Sequence, residues 1–125
     1  MMKLIVSYLK KTNQSQVLIS TTEIINQKKP FWGLYSASKA ALEQIAFSYA
    51  AETQNTNIKV NLIDPGMVNT KLRLKAYPGE DKQKITQPSD LSDFFVDILF
   101  NNKFTNGELI RYADWLESFK RVQMT

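Results

Sequence analysis

Tyr35 and Lys39 are the residues whose types and spacing can do chemistry. They bracket the segment Tyr35-Ser36-Ala37-Ser38-Lys39, and residues four apart on a helix share a face. A phenol has a reference pKa of about 10, so it is a poor acid-base group at neutral pH. A neighbouring ammonium stabilises phenolate, and each unit of lowering corresponds to about 1.4 kcal/mol of differential interaction. The pair is therefore a sensible proton-transfer couple, although the same spacing also arises in ordinary helix-surface packing. Further along, Pro65-Gly66 follows Asp64; taken alone, it reads as a strand stop.

The elements that must position these residues follow from hydrophobic patterning. From Tyr35 to about Thr53 the chain is rich in Ala and free of Gly and Pro, which predicts a long helix. Ala37, Ala40, Ala41, Ile45 and Ser48 line one side of it, and Leu42, Ala46, Tyr49 and Ala50 line another. An apolar surface that wide predicts burial on more than one side. Before this helix, Val17-Leu18-Ile19 is the short apolar run of a buried strand, followed by a polar loop from Ser20 to Pro30. After it, Ile58 to Ile63 reads as a second strand ending at Asp64-Pro65-Gly66.

The flanks are read in the same way. Leu4, Ile5, Tyr8 and Leu9 suit the last turns of an amphipathic helix over residues 1 to about 11, with Lys10 and Lys11 at its negative end. Asn13-Gln14-Ser15 reads as a turn. Residues 67 to 88 form a polar, Lys-rich connection with a turn at Pro78-Gly79. Ser89 is the expected N-cap of a helix whose stripe is Leu91, Phe94, Phe95, Ile98 and Leu99, stopped by Asn101-Asn102. Leu109-Ile110 and Tyr112 suggest a last strand after Gly107, and residues 114 to 125 form a short helix or a tail. Strands alternating with helices predict an α/β fold built of βαβ units on a parallel sheet. Three strands amount to about half of a doubly wound domain.

Composition removes several chemistries. The 125 residues contain no Cys and no His, which excludes thiol nucleophiles, disulfides, Cys/His zinc sites and imidazole bases; no metal site is expected. The four glycines, Gly33, Gly66, Gly79 and Gly107, are too far apart for a G-x-G-x-x-G turn or a P-loop. The length fits one domain, residues 1–125. The stretch from Leu4 to Leu9 is too short for a membrane span or a signal-peptide core, so a cytoplasmic protein without membrane association is expected. The net charge of +4 comes from scattered lysines and arginines interspersed with acids, so nucleic acid is not the expected partner.

Taken together, Ser20-Thr21-Thr22 at a strand end, YSASKAAL from Tyr35 to Leu42 and Pro65-Gly66-Met67-Val68-Asn69-Thr70 after the next strand resemble the C-terminal half of the short-chain dehydrogenase/reductase family. Thr105-Asn106-Gly107-Glu108-Leu109 is similar to a variant of the family's Thr-Gly before its last strand. The resemblance covers roughly residues 5 to 112 and implies a partial Rossmann-like, doubly wound parallel sheet of about three strands with flanking helices.

The resemblance also implies roles. Tyr35 would be the general acid-base on the substrate hydroxyl or carbonyl. Lys39 would lower the phenol's pKa and bind the nicotinamide ribose. Thr22 stands thirteen residues before Tyr35, where the family usually has Ser, and its hydroxyl can still donate to a carbonyl oxygen. Pro65, Gly66, Val68 and Thr70 match the segment that holds the nicotinamide carboxamide and a nearby phosphate. The implied cofactor is NAD or NADP, and the implied reaction is hydride transfer between nicotinamide and a carbonyl or hydroxyl substrate.

The family's Gly-rich strand-turn-helix for the dinucleotide, by this alignment upstream of Met1, has no counterpart in these residues. Dinucleotide binding is therefore expected to be weak or absent in the isolated chain, and activity is expected to need a separate N-terminal fragment. The alternative expectation is a non-enzymatic oligomerisation module, because the helix over 35–53 matches the family's dimer interface. A homo-oligomer through that helix is expected on either reading.

Overall fold

The run Val17-Leu18-Ile19 extends in both directions to form strand β1, Ser15–Ser20, and the second apolar run forms β2, Ile58–Asp64. In the computed structural model, which describes residues 2–101 and 103–123 (2, 3, 122 and 123 by backbone only), these strands pair in parallel. The register runs from Ser15 opposite Ile58 to Ser20 opposite Ile63. Strand β3, Leu109–Arg111, completes the order β1-β2-β3. The Gly107 N–H donates to Val60 O at 2.9 Å and the Leu62 N–H to Glu108 O at 2.8 Å, so both chains advance together. The sheet is one open, three-stranded parallel sheet of an α/β fold. β2 is central, and its Ile58, Val60 and Leu62 are each 1% exposed, the near-continuous burial that a covered parallel strand requires.

The chain forms two compact units, Met1–Asp64 with Phe104–Ile110, and Pro65–Lys103 with Arg111–Thr125. In the first, helix α2, Gly33–Glu52, connects β1 to β2. Its Tyr49 and Ala50 pack with Ile58 and Val60, joined by Val17 and Ile19 of β1 and by Val6 and Leu9 of helix α1, Met2–Leu9. The sequence pattern grouped Leu4, Ile5, Tyr8 and Leu9. The structure instead turns Val6 and Leu9 inward and leaves Leu4 and Tyr8 exposed, because residues three apart stack on one helix face. α2 likewise buries only the side carrying Ala46, Tyr49 and Ala50. Ala37, Ala40, Ala41, Ile45 and Ser48 are exposed, so the described residues cover one of its two apolar sides.

Side chains close the ends of these elements. Ser15 Oγ and Asn57 Nδ2 donate to Leu9 O at 2.6 and 3.0 Å, satisfying a terminal carbonyl of α1. At the end of α2, Thr53 Oγ1 donates to Tyr49 O at 3.0 Å. Asn106 bridges two elements: its Nδ2 donates to Ala50 O and its Oδ1 accepts the Val60 N–H, both at 2.7 Å. Gly107 follows at φ 84°, in the left-handed region, and a Cβ there would lie 3.5 Å from that of Ala50.

The second unit departs more from expectation. The polar stretch 67–88 holds a short helix, α3, Lys71–Ala76, with Thr70 as its N-cap. Six residues are too few to display a period. Arg73 fastens the segment: its guanidinium donates to Glu80 at 2.5 and 2.6 Å and lies 4.6 Å from the Tyr77 ring centre. Glu80 holds the Arg73 guanidinium above its ordinary pKa. The cap expected at Ser89 falls instead to Gln87, whose N–H donates to Asp90 Oδ2 at 2.8 Å in a capping box at the head of a 3-10 turn, Pro88–Leu91.

Helix α4, Ser92–Phe100, then buries Phe94 and Ile98 while Leu99 stays exposed. Tyr112 opens helix α5, Tyr112–Gln123, rather than extending β3. Its ring and that of Trp115 pack on Phe94 at 5.4 and 5.5 Å, and burying these rings is worth more than another residue of strand. Asn102, part of the expected stop, lies outside the described residues, as do Met1, Met124 and Thr125.

Candidate active site

In parallel α/β sheets, ligands bind beyond the carboxyl ends of the strands, and β1 ends at Ser20. Thr21 is 4% exposed; its N–H donates to Ile63 O at 2.8 Å, and its hydroxyl donates to the Glu43 carboxylate on α2. Thr22 caps the 3-10 turn Glu23–Asn26, its Oγ1 accepting the Ile24 N–H at 3.4 Å. That bond uses a lone pair and leaves the O–H able to donate elsewhere.

The facing helix begins at a strained corner. Phe31 has φ 67°, a left-handed conformation that is costly for a bulky residue, and Trp32 follows as the residue preceding α2. Tyr35, Lys39 and Glu43 then stand at intervals of four along one face. Lys39 Nζ donates to Ser20 O at 3.1 Å. Lys39 and Glu43 thus hold this face of α2 to Ser20 and Thr21, with Tyr35 one turn nearer the helix start. Tyr35 and Lys39 are expected from the sequence, whereas Glu43 joins this face only in the structure. Its four-residue offset from Lys39 was the available signal.

Pro65, Gly66, Val68 and Thr70 lie in the second unit, immediately after β2 in the chain. Gly66 takes φ 71°, and nothing lies within 4 Å of where its Cβ would be, so the left-handed turn rather than crowding is what favours glycine here. Val68 forms an isolated parallel bridge with Thr86, and the neighbouring Asn69 Nδ2 donates to Gln87 Oε1 at 2.9 Å. Thr70 Oγ1 accepts the Arg73 N–H at 3.2 Å. Among the described residues there is no group of His, Cys, Asp or Glu able to hold a metal ion. No described helix is long and apolar enough to cross a membrane.

Comparison with known proteins points one way. A family model described as short chain dehydrogenase matches residues 1–81. The chain is 33% identical over 88 residues to the uncharacterized oxidoreductase YciK of Escherichia coli K12, covering 70% of this chain and 34% of that protein. It is 31% identical over 77 residues to an NADPH-dependent aldehyde reductase 2, chloroplastic, of Arabidopsis thaliana, covering 62% and 28%. Its fold matches a short chain dehydrogenase from Salmonella enterica serovar Typhi with TM-score 0.82 at 27% identity, covering 88% of this chain and 46% of that one. A short chain dehydrogenase from Escherichia coli CFT073 complexed with NADPH matches with TM-score 0.80, also at 27% identity, covering 88% and 46%. The chain thus spans 28 to 34% of these curated relatives and under half of the solved chains.

Proposed function

This chain belongs to the short-chain dehydrogenase family, and we propose on that premise that it carries the proton-transfer face of a nicotinamide-dependent oxidoreductase acting on a carbonyl or hydroxyl group. The observation that carries the reading is the 3.1 Å bond from Lys39 Nζ to Ser20 O, which holds the Tyr35/Lys39 face of α2 to the carboxyl end of β1. Tyr35 holds a proton at its phenolic oxygen and exchanges it with the substrate oxygen. Lys39 supplies positive charge on the same helix face, which favours phenolate. Thr22 offers its O–H to the substrate oxygen.

The donor set suits a nicotinamide nucleoside. The Lys39 ammonium has three N–H donors, and one is directed to Ser20 O, leaving others for ribose hydroxyls. In the second unit, Gly66 has open space where a Cβ would be, and with Pro65, Val68 and Thr70 it matches the segment that the family resemblance assigns to the carboxamide. NADH or NADPH would supply the hydride to a carbonyl, and NAD+ or NADP+ would accept it from a hydroxyl. These 125 residues contain no Gly-rich phosphate turn, so pyrophosphate lacks the helix N-terminus that usually receives it. We infer weak dinucleotide binding by the chain alone and strong binding only with a Gly-rich strand-turn-helix from residues outside these 125, a separate polypeptide being one source.

Oxidation of NADPH and NADH by the full chain against a panel of aldehydes and ketones, with and without such a segment, tests this reading. Loss of turnover in Tyr35→Phe supports it, and unchanged turnover overturns it. A second reading, an oligomerisation module, draws on the exposed small-residue side of α2, where Ile45 is 55% exposed. We propose a homo-oligomer through residues 35–53. A monomer in sedimentation equilibrium, or an oligomer untouched by Ala41→Glu, overturns that proposal.

A further inference from the structure

A cation and two rings converge at the start of α2. Lys29 Nζ lies 5.1 Å from the centre of the Trp32 ring. That ring meets the Tyr35 ring at 5.4 Å between centres, with the planes at 86°. Both are favourable geometries: a cation on an indole face, and a T-shaped aromatic pair.

The backbone is bent to produce them. The Trp32 N–H donates to Lys29 O at 3.3 Å, and Trp32 O accepts the Ser36 N–H at 2.8 Å. Between Lys29 and Trp32, Phe31 takes its left-handed φ of 67° with its side chain fully exposed. The strain therefore supports no contact of Phe31 with the rest of the chain. It falls immediately before Trp32, the residue preceding α2, which is three residues before Tyr35, the offset at which side chains meet across a helix turn.

We propose that Trp32 is a positioning residue for the Tyr35 phenol, with Lys29 anchoring the indole. This rests on the reading of Tyr35 as the acid-base group. Tyr35, in the first turn of α2, is half-buried, and its ring contact is the Trp32 indole. An indole set against it perpendicularly restricts the ring plane and so the direction of the phenolic oxygen. Proton transfer requires the oxygen within hydrogen-bond reach of the reacting atom, so that direction matters. Trp32 acts on the ring, which leaves the oxygen to the substrate.

The test uses the full chain labelled with 3-fluorotyrosine, whose Tyr35 fluorine resonance is assigned by its loss in Tyr35→Phe. The indole should displace this resonance from its position in the free amino acid. Trp32→Ala should return it to that position, Trp32→Phe should keep a displacement, and Lys29→Gln should give an intermediate value. The resonances of Tyr49, Tyr77 and Tyr112 should stay in place throughout, which separates positioning from general loss of structure. A Tyr35 resonance already at the free position, or one unmoved by Trp32→Ala, overturns the proposal by itself. Turnover is measured separately: activity unchanged in Tyr35→Phe overturns the acid-base reading and the positioning role with it. A loss in kcat on Trp32→Ala at constant KM, restored by Trp32→Phe, supports both.

Discussion

The Lys39 ammonium donates to the main-chain carbonyl of Ser20 at 3.1 Å, spanning nineteen residues of sequence from the second turn of α2 to the last residue of β1. This bond joins the two segments that carry the proposed chemistry. Lys39→Ala should leave the fold intact, at a cost of about 1 kcal/mol from one hydrogen bond, and remove the hydride transfer proposed for the chain completed by a Gly-rich strand-turn-helix. Urea denaturation and turnover on the same preparation check both halves. A loss of activity explained by unfolding would count against the assignment.

Thr21 provides the second tie. Its hydroxyl donates to Glu43 from a position only 4% exposed. Thr21→Val keeps the volume and removes the donor, leaving a half-buried carboxylate without that bond. A loss of about 1–3 kcal/mol is expected, read as a lowered urea midpoint with unchanged slope. Glu43→Gln, which still accepts a hydrogen bond, should lose less than Thr21→Val.

Tyr49 runs the other way. Its hydroxyl is buried with no hydrogen-bond partner among the described residues, an arrangement that costs free energy. Tyr49→Phe should therefore raise stability by about 1 kcal/mol. Burial pushes the Tyr49 pKa up, with Glu52 adding to the effect. The folded state thus holds this proton more tightly than the unfolded chain, and the associated stability is complete below the ordinary value of 10.0 and falls as pH rises through the folded value. Alkaline unfolding, followed by circular dichroism, should shift upward in Tyr49→Phe.

Asp97 controls the acid side. The Asn101 amide holds its carboxyl below the usual range, with the Trp115 indole and Lys103 acting in the same direction and burial opposing them. Trp115 Nε1 donates to it at 2.8 Å and Lys103 Nζ at 3.1 Å. A depressed folded pKa contributes stability above the ordinary value of 3.8, which is lost as pH falls through the folded value. Asp97→Asn should cost about 2 kcal/mol at neutral pH and flatten the acid limb of a stability-versus-pH curve.

These sites differ in how far sequence alone reveals them. Val17-Leu18-Ile19, the Ala-rich helix and Ile58 to Ile63 announce themselves because apolar periodicity is a local property, and Tyr35 and Lys39 share a face by helix geometry alone. The Thr21–Glu43 bond joins residues twenty-two apart and exists only once α2 is packed on β1. α3 is hidden because its six residues are held by Thr70 and by the Arg73–Glu80 pair, which are contacts rather than a pattern. The outward side of α2 exposes a different gap: a wide apolar surface predicts burial without identifying what provides it.

Asn106 sets the order in which the first unit can be completed. Two of its bonds reach back 46 and 56 residues, to Val60 and Ala50, and Gly107 and Glu108 bond to β2 on the side away from β1. Contacts that far apart in sequence close late, because the loop between them must first lose its freedom. Residues 15–64, which hold β1, α2 and β2, leave the ribosome before residues 104–110. Until those later residues are made, the side of β2 away from β1 and the Ala50 carbonyl lack the partners they have in the finished unit.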